Sequence, residues 1–520
     1  MPTITLDNRE VTVPEGATIL EAARKLGLEI PTLCSLEGCR PETSCLVCVV
    51  KVNGGARLLP SCATTAVEGM AVESETPEVH EARRTALELL LSDHLGDCVG
   101  PCQSICPARM DIPEMIRLIS AGKMAEAVAK VKERIPFPAV LGRICPELCE
   151  KGCRRRSLDN PVAIRQLKRY VGDWDILQVA RHRPACKPSS GRRVAIVGAG
   201  PAGLTAAYYL QQEGHACVLF DEHELPGGML RYAVPTSQLP RDVLDAEIRS
   251  LLVLGAELRA GVQVGRDVPL AQLWDEYHAV LLATGELTHE AAGQMGLPLA
   301  GTSIPADKRT QMTRQRGVFV AGSAFSPSHH AVRAVGSGYN AACSISQYLE
   351  GELLTGVHRL FTVQMGHLEE AQMREFAALT PQHDRLTPSG GEATGFSVEE
   401  AAAEADRCLH CDCAGMECCK LRKWSERYGA GPTRLRDHRR PYRREASHPL
   451  VTYEPGKCIA CGLCVQIAGR SQERLGLAFI GRGFDVQIGV PFNETLAAGL
   501  EQVARECAEA CPTAALVLRK

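Results

Sequence analysis

The 520-residue sequence has no run approaching the roughly 18 consecutive apolar residues of a membrane-crossing helix, so no such helix is expected. Its first residues, MPTITLDNREVTV, alternate polar and apolar side chains like a strand and lack the apolar heart of an export signal, so a cytoplasmic protein is expected. An excess of either charge is missing too: 58 Lys and Arg against 61 Asp and Glu give a net −3, which offers no footing for a nucleic-acid partner. Aromatic residues are scarce at 4%, although a hydrophobic fraction of 45% suffices for ordinary cores. No repeat of fixed period is present. What is abundant is cysteine, 24 in all, grouped in tight CxxC-like sets. Without an export signal, such grouping points to metal or iron–sulphur ligation rather than to disulphides.

At roughly 150 residues per domain the length suggests three or four domains. Residues 1–80 read as a small β-rich module, with ITLDNREVTV and CVVKVNG as strands and TILEAARKLG as a helix carrying its own start signal. Residues 81–185 read as mostly helical, with two cysteine groups on either side of the amphipathic stretch DIPEMIRLISAGKMAEAVAKVKERI. A polar linker, PACKPSSGRR, leads to an α/β unit over 190–350. Residues 351–450 read as a connector with a further cysteine group at 408–419 and a basic run, RLRDHRRPYRR, best explained as a solvated linker. Residues 451–520 hold the last group. The expected fold is thus multidomain, α+β and α/β.

Cys34, Cys45, Cys48 and Cys62 are spaced C-x10-C-x2-C-x13-C. Four thiolates converging from one returning loop and a later strand suit a 2Fe–2S centre, whereas structural zinc prefers two short CxxC knuckles. The spacing resembles the N-terminal 2Fe–2S domain, a β-grasp ferredoxin fold, of the large iron–sulphur subunit of complex I and of iron-only hydrogenases. Cys39 has no partner at the right spacing and is left out. Cys458, Cys461 and Cys464 form C-x2-C-x2-C, and Cys511 precedes a proline, the pattern of a ferredoxin-type 4Fe–4S cluster. The stretches GRGFDVQIG and CPTAAL again resemble the complex I subunit. A single cluster is expected in this C-terminal ferredoxin-like domain, because VQIAG stands where a doubled ferredoxin has another cysteine.

The stretch CVGPCQSICPARMDIPEMI and the later GRICPELCEKGCRRRSLDNPVAIRQLKRYVGDW resemble the helical double-cluster domain of the glutamate synthase small subunit and of dihydropyrimidine dehydrogenase. The resemblance implies one 4Fe–4S cluster on Cys98, Cys102 and Cys153 and another on Cys106, Cys145 and Cys149. Each set is one ligand short. His94, in a His-x3-Cys pair like that of the complex I subunit, is a candidate for the first set. For the second, Lys168 stands near the family's glutamine or glutamate, with Gln166 close by. Cys408, Cys411, Cys413 and Cys419 lie in RCLHCDCAGMECCKLRKWSERYGA, which resembles a cluster-binding segment of some glutamate-synthase-like oxidoreductases; a zinc site is the alternative. Cys419 is preferred over Cys418 because it directly precedes KLR. Cys186, Cys217, Cys343 and Cys507 are expected to be ordinary buried thiols.

The stretch RRVAIVGAGPAGLTAAYYLQQEGHACVLFDE reads strand, turn, helix, strand. Gly198, Gly200 and Gly203 form the GxGxxG of a dinucleotide-binding turn, with Asp221 placed to accept from a ribose. The sequence LPGGMLRYAVPTSQLPRDVLDAEI, with Gly228 and Met229, resembles the FAD domain of the glutamate synthase small subunit, which implies a Rossmann-like FAD domain. That family continues with ATG, a whole NAD(P)H domain, and GVFxAGD. Here ATG ends at Gly285 and GVFVAGS starts at Gly317, leaving room for about one βαβ unit. The closing segment has Gly322 and then Ser323 in place of the family's aspartate.

The expected inventory is therefore FAD, one 2Fe–2S cluster and four 4Fe–4S clusters. The expected role is an electron-transfer subunit of a larger oxidoreductase, partnered by other subunits, among them an NADH-oxidising flavoprotein subunit or ferredoxin. A self-contained FAD-dependent reductase and a scaffold with a vestigial flavin site are the alternatives.

Overall fold

A computed structural model describes residues 1–378, 380–435 and 440–519; positions 436–439 of the basic run lie outside them. The chain divides into two compact units that do not follow its linear order. The first combines Met1–Val99, Leu360–Leu379 and His410–Lys520, and the second combines Gly100–Arg359 and Thr380–Leu409.

At the N-terminus of the first unit, ITLDNREVTV is a hairpin rather than one strand. Asp7 and Asn8 adopt φ of +47° and +63°, the left-handed pair of a tight turn, so β1 (Thr3–Leu6) folds back on β2 (Arg9–Thr12). With β3 (Val49–Val52), β4 (Leu58–Pro60) and β5 (Ala71–Glu73) they form a sheet of order β2-β1-β5-β3-β4, in which β1 and β5 run parallel. The helix Ile19–Lys25 starts on a capping box between Thr18 and Glu21 and buries Ile19, Leu20, Ala22 and Ala23 in the core with Ile4, Leu6 and Val50. This is the arrangement expected of a β-grasp module.

In the second unit, Gly122 (φ +68°) breaks the amphipathic stretch into two helices, Ile112–Ser120 and Met124–Lys132. The helices Pro138–Ile144 and Ile164–Leu177 cross on glycines. A Cβ on Gly172 would lie 2.6 Å from Ala139 Cα, and one on Gly142 would lie 2.9 Å from Arg169 N. From the helix Arg241–Leu252, the Glu247 carboxylate accepts the N–H groups of Ala139 (2.9 Å) and Val140 (2.7 Å), which lie in the first turn of Pro138–Ile144. A helix N-terminus favours the charged carboxylate, but burial outweighs it and pushes Glu247 up to about 7.

That raised value has a sign. Between an ordinary 4.5 and about 7 the folded protein keeps a proton the unfolded chain has released. The contribution of Glu247 is thus complete at low pH and is lost as pH rises through this window, by on the order of 3 kcal/mol at 1.36 kcal/mol per unit. The substitution Glu247→Gln is expected to flatten the dependence of thermal stability on pH between 5 and 7.5. Equal slopes for variant and parent would show that Glu247 does not titrate there.

The same unit contains a parallel sheet of order β10-β9-β6-β7-β8, built from β6 (Arg193–Val197), β7 (Ala216–Asp221), β8 (Glu257–Ala260), β9 (Ala279–Leu282) and β10 (Val318–Val320). Near-continuous apolar strands such as VAIV and AVLL suit a sheet covered on both faces. The helices Pro201–Gln212 and Ala331–Glu350 pack closely because Gly338 has no Cβ; one would lie 3.0 Å from Thr205 Cβ. Cys217 is buried here, Cys343 is half-buried, and Cys186, expected inside, is exposed because PACKPSSGRR forms an irregular connection into β6.

The C-terminal part of the first unit pairs β11 (Val451–Tyr453) with β14 (Leu516–Leu518), and β12 (Ala478–Ile480) with β13 (Gln487–Gly489). The helices Leu463–Arg470 and Ala504–Ala510 complete its core around Cys507 and Ile467. Among the described residues no helix is long and apolar enough to cross a membrane.

Candidate metal centres and nucleotide site

Cys34, Cys45, Cys48 and Cys62 are all buried, and their sulphurs meet in pairs, Cys34 with Cys45 at 3.4 Å and Cys48 with Cys62 at 3.3 Å. Thiols this close share protons. Hydrogen bonding with Cys45 and then Cys62 holds Cys34 far down at about 2, and hydrogen bonding with Cys62 holds Cys48 down at about 7. Cys45 and Cys62 are pushed upward in exchange. With two thiols held down and two held up, a metal binding all four must displace the protons that remain. The loop ahead of Cys45 is pinned by an amide clasp: the Arg40 N–H donates to Gln466 Oε1 (2.8 Å), and Gln466 Nε2 donates back to Arg40 O (2.9 Å).

Cys458, Cys461, Cys464 and Cys511 line one cavity of about 30 Å³, walled by Tyr453, Leu477 and Ile488. The loop folds around it because Ala460 (φ +51°) and Gly462 (φ +73°) turn left-handed. The N–H groups of Ala460 and Leu516 donate to the sulphurs of Cys458 and Cys511, both at 3.4 Å, as cluster thiolates require. Burial pushes Cys461 up to about 12, so binding here must release protons. Four cysteines facing one apolar cavity fit the expected cluster.

The cysteines of RCLHCDCAGMECC do not act as one group. The boundary between the two units falls between Leu409 and His410. In the first unit the Cys413 N–H donates to Cys98 O (3.3 Å), and Cys98, Cys413 and Cys419 are buried close enough for their charges to act on one another. The structure thus sets Cys98 beside Cys413, a neighbour that the resemblance, which grouped Cys98 with Cys102 and Cys153, does not imply. Lys457, 6% exposed, points its ammonium at Cys413 Sγ (3.8 Å) and pairs with Glu454. Burial works against that charge, yet Glu454 and the thiols hold it above the ordinary lysine range. No sequence signal distinguishes this lysine from a surface one.

In the second unit Cys106, Cys145 and Cys149 come together as expected. Burial raises Cys106 and Cys149, and the Lys168 ammonium beside them works the other way. The structure brings the Lys168 ammonium beside these thiols, while Gln166, equally buried, keeps its Oε1 without a partner among the described residues. Gln166 donates through Nε2 to Glu392 (2.8 Å). Cys102, Cys153 and Cys408 are drawn to one region. A Cβ on Gly152, just before Cys153, would lie 3.2 Å from Pro101 O, just before Cys102. Arg155 donates to Arg407 O (2.6 Å), just before Cys408, and both arginines pair with Asp159.

At the carboxyl end of β6, Gly198 (φ +105°) leaves no room for a side chain, because a Cβ would lie 2.8 Å from the Ala283 carbonyl carbon. Gly203 faces the same turn, where a Cβ would lie 3.1 Å from the Gly198 carbonyl carbon. Gly200 is the N-cap of Pro201–Gln212 with no side chain capping it, which leaves the first N–H groups facing outward for a phosphate. Gly228 (φ +50°) brings its backbone to Gly200; a Cβ there would lie 2.9 Å from Gly200 Cα. Met229, next in sequence, is exposed. Asp221 uses Oδ2 to accept the Ala199 N–H (2.6 Å) and Oδ1 to accept the His223 N–H (3.0 Å), so it braces the turn itself. Thr284 Oγ1, after β9, is buried with no partner among the described residues, which suits a ligand at the carboxyl ends of the strands. Gly322 (φ +68°) donates its N–H to Ser337 Oγ (2.9 Å), and the Ser323 hydroxyl donates to Ser328 O (3.0 Å).

Residues 1–77 match the family described as the 2Fe-2S iron-sulfur cluster binding domain, and residues 78–179 match dihydropyrimidine dehydrogenase domain II, 4Fe-4S cluster. Residues 1–179 are iron–sulphur modules. Residues 196–252 of this iron–sulphur chain match the NAD(P)-binding Rossmann-like domain. Among characterised proteins, the NADP(+)-dependent formate dehydrogenase subunit beta of Moorella thermoacetica is 38% identical over 219 residues, covering 38% of this chain and 31% of the relative. The NADPH-Fe(3+) oxidoreductase subunit beta of Geobacter sulfurreducens is 36% identical over 201 residues, covering 38% and 30%. The NAD-dependent dihydropyrimidine dehydrogenase subunit PreT of Salmonella typhimurium is 36% identical over 191 residues, covering 36% and 45%. The match thus spans less than half of each of these relatives.

Proposed function

We propose that the chain is an electron-wiring subunit of a larger oxidoreductase, carrying one 2Fe–2S cluster, four 4Fe–4S clusters and FAD. The observation that carries this is the contiguity of thiol groups in the first unit. The loop bearing Cys34 and Cys45 is clasped by Gln466, on the helix Leu463–Arg470 that also carries Cys464. At the other side of that module, Cys419 Sγ lies 3.8 Å from Pro512 O, next to Cys511. Three thiol groups therefore stand in series. In the second unit the Cys106 segment abuts the nucleotide fold, since a Cβ on Gly336 of Ala331–Glu350 would lie 3.0 Å from the Pro107 carbonyl carbon.

Clusters held this way would pass single electrons, and a flavin on the Gly198 turn would exchange one or two. FAD is favoured over a nicotinamide there by the resemblance of LPGGMLRYAVPTSQLPRDVLDAEI to the FAD domain of the glutamate synthase small subunit, a stretch whose Gly228 packs its backbone onto the phosphate-binding turn. The relatives' names, all subunits of NAD- or NADP-linked oxidoreductases, support partner subunits; the exchange partner of the N-terminal module in this reading is an NADH-oxidising flavoprotein subunit or, alternatively, ferredoxin.

The anaerobically reconstituted chain should hold about eighteen irons, from the cluster types assigned here. The substitution Cys45→Ser should abolish the 2Fe–2S resonance alone and slow flavin reduction by a reduced ferredoxin. About ten irons or fewer with stoichiometric zinc, or loss of a 4Fe–4S resonance instead, would overturn the assignment.

A further inference from the structure

We propose that Cys98, Cys413 and Cys419 bind one 4Fe–4S cluster, with His94 as its remaining ligand. This composite site draws on segments from opposite parts of the sequence, and it deepens the electron-relay reading on which it rests. The segment around Cys98 is clamped from several sides within the first unit. The Cys98 N–H donates to Val363 O (3.4 Å), the Met365 N–H donates to Asp97 Oδ1 (2.8 Å), and the Leu95 N–H donates to Gly456 O (2.7 Å). Cys413 docks on this segment through its N–H bond to Cys98 O. Cys419 is the N-cap of Lys420–Arg427, and its sulphur accepts the Arg422 N–H at 3.4 Å, a bond that suits a thiolate holding iron. Cys418 is excluded by geometry: it is exposed, and its sulphur turns to Gly415 O.

His94 and Lys457 flank Gly96 together. A Cβ there would lie 3.3 Å from His94 Nε2 and 2.8 Å from Lys457 Cε. The histidine ring therefore stands beside the lysine whose ammonium reaches Cys413. A buried cation against a thiol has a physical reason once that thiol carries a charged cluster, and imidazole is an accepted iron–sulphur ligand. Lys457 also directly precedes Cys458 of the C-terminal cluster, and Cys419 lies against Pro512 beside Cys511. The site is thus the next stop after the ferredoxin-like centre.

The full-length chain, reconstituted anaerobically, tests this by iron content and electron paramagnetic resonance. Cys98→Ser and Cys413→Ser should each lose about four irons and the same resonance, and the double variant should lose no more than either alone. His94→Cys should retain the iron and change only that resonance. Lys457→Gln, which keeps all four ligands, should lower the reduction potential of that centre and leave the 2Fe–2S centre unmoved. Loss of about eight irons in the double variant, or loss of zinc instead of iron, overturns the composite site. A parent chain that binds no iron at all overturns the relay reading with it, and the two failures are distinguishable.

Discussion

Replacing Gly172 by alanine is expected to destabilise the second unit severely and to strip the cluster held by Cys106, Cys145 and Cys149. The helices Pro138–Ile144 and Ile164–Leu177 approach so closely that the added methyl would lie 2.6 Å from Ala139 Cα and 2.7 Å from the Pro138 carbonyl carbon. Those are backbone atoms and cannot swing aside like a flexible side chain. Alanine gains up to about 1 kcal/mol of helix propensity over glycine, but overpacking a close contact costs about 1–3 kcal/mol, with more expected against backbone. Overpacking wins. The displacement also reaches the metal site, because Cys145 caps the end of the first helix and Lys168 lies on the second. Thermal unfolding should move down by many degrees, with about four irons lost per chain on purification. An unchanged melting temperature with full iron content would show that the helices tolerate a wider spacing.

The chain should bind FAD yet leave it oxidised when mixed with NADH or NADPH alone. Hydride transfer needs the nicotinamide against the flavin ring, and a nucleotide held there needs its own phosphate-binding turn. Between Gly285 and Gly317 the structure has one short helix, His289–Gln294, and isolated bridges such as Ala306 with Thr313. β9 and β10, on either side, pair directly in the one parallel sheet described for this unit. Anaerobic mixing at stoichiometric nucleotide, followed at the flavin absorbance, should show no rapid bleaching. Fast reduction by either nucleotide without a second protein would sink the proposal. A purified chain that retains nicotinamide and no flavin would instead assign the Gly198 turn to NAD(P).

The two terminal cysteine groups were legible in the sequence because their ligands are mostly local. Cys45 and Cys48, or Cys458, Cys461 and Cys464, announce themselves by spacing alone. The turn at Gly198 was legible for the same reason, since strand, glycines and helix follow one another directly. The composite group was not. Cys413 sits two residues from Cys411, and only the tertiary fold carries it to Cys98. Resemblance placed Cys98 by its nearest neighbours in sequence and carries no trace of the clamp that Val363 and Gly456 put on its segment. The hairpin was missed because Asp7-Asn8 reads as two polar positions of an alternating strand until their left-handed φ is known. The role of Asp221 changed as well: a short carboxylate at that position reaches the Ala199 N–H and serves the turn.

The interleaving of the two units imposes a timetable on synthesis. The sheet formed by β1–β5 has its own core and can close early. Arg83, fully buried in the helix Pro77–Ser92, donates to Val49 O (3.0 Å) from that early module but also needs the Tyr428 hydroxyl (2.7 Å). At roughly 5–20 residues per second, Tyr428 emerges on the order of half a minute after Arg83. Throughout that interval the helix exposes Leu87 and Leu91, whose neighbours Trp424 and Leu421 have not been made. A nascent chain stalled anywhere in the second unit would therefore present an unfinished first one, with Arg83 short of its hydroxyl partner and bare thiols, as a ready substrate for chaperones or aggregation.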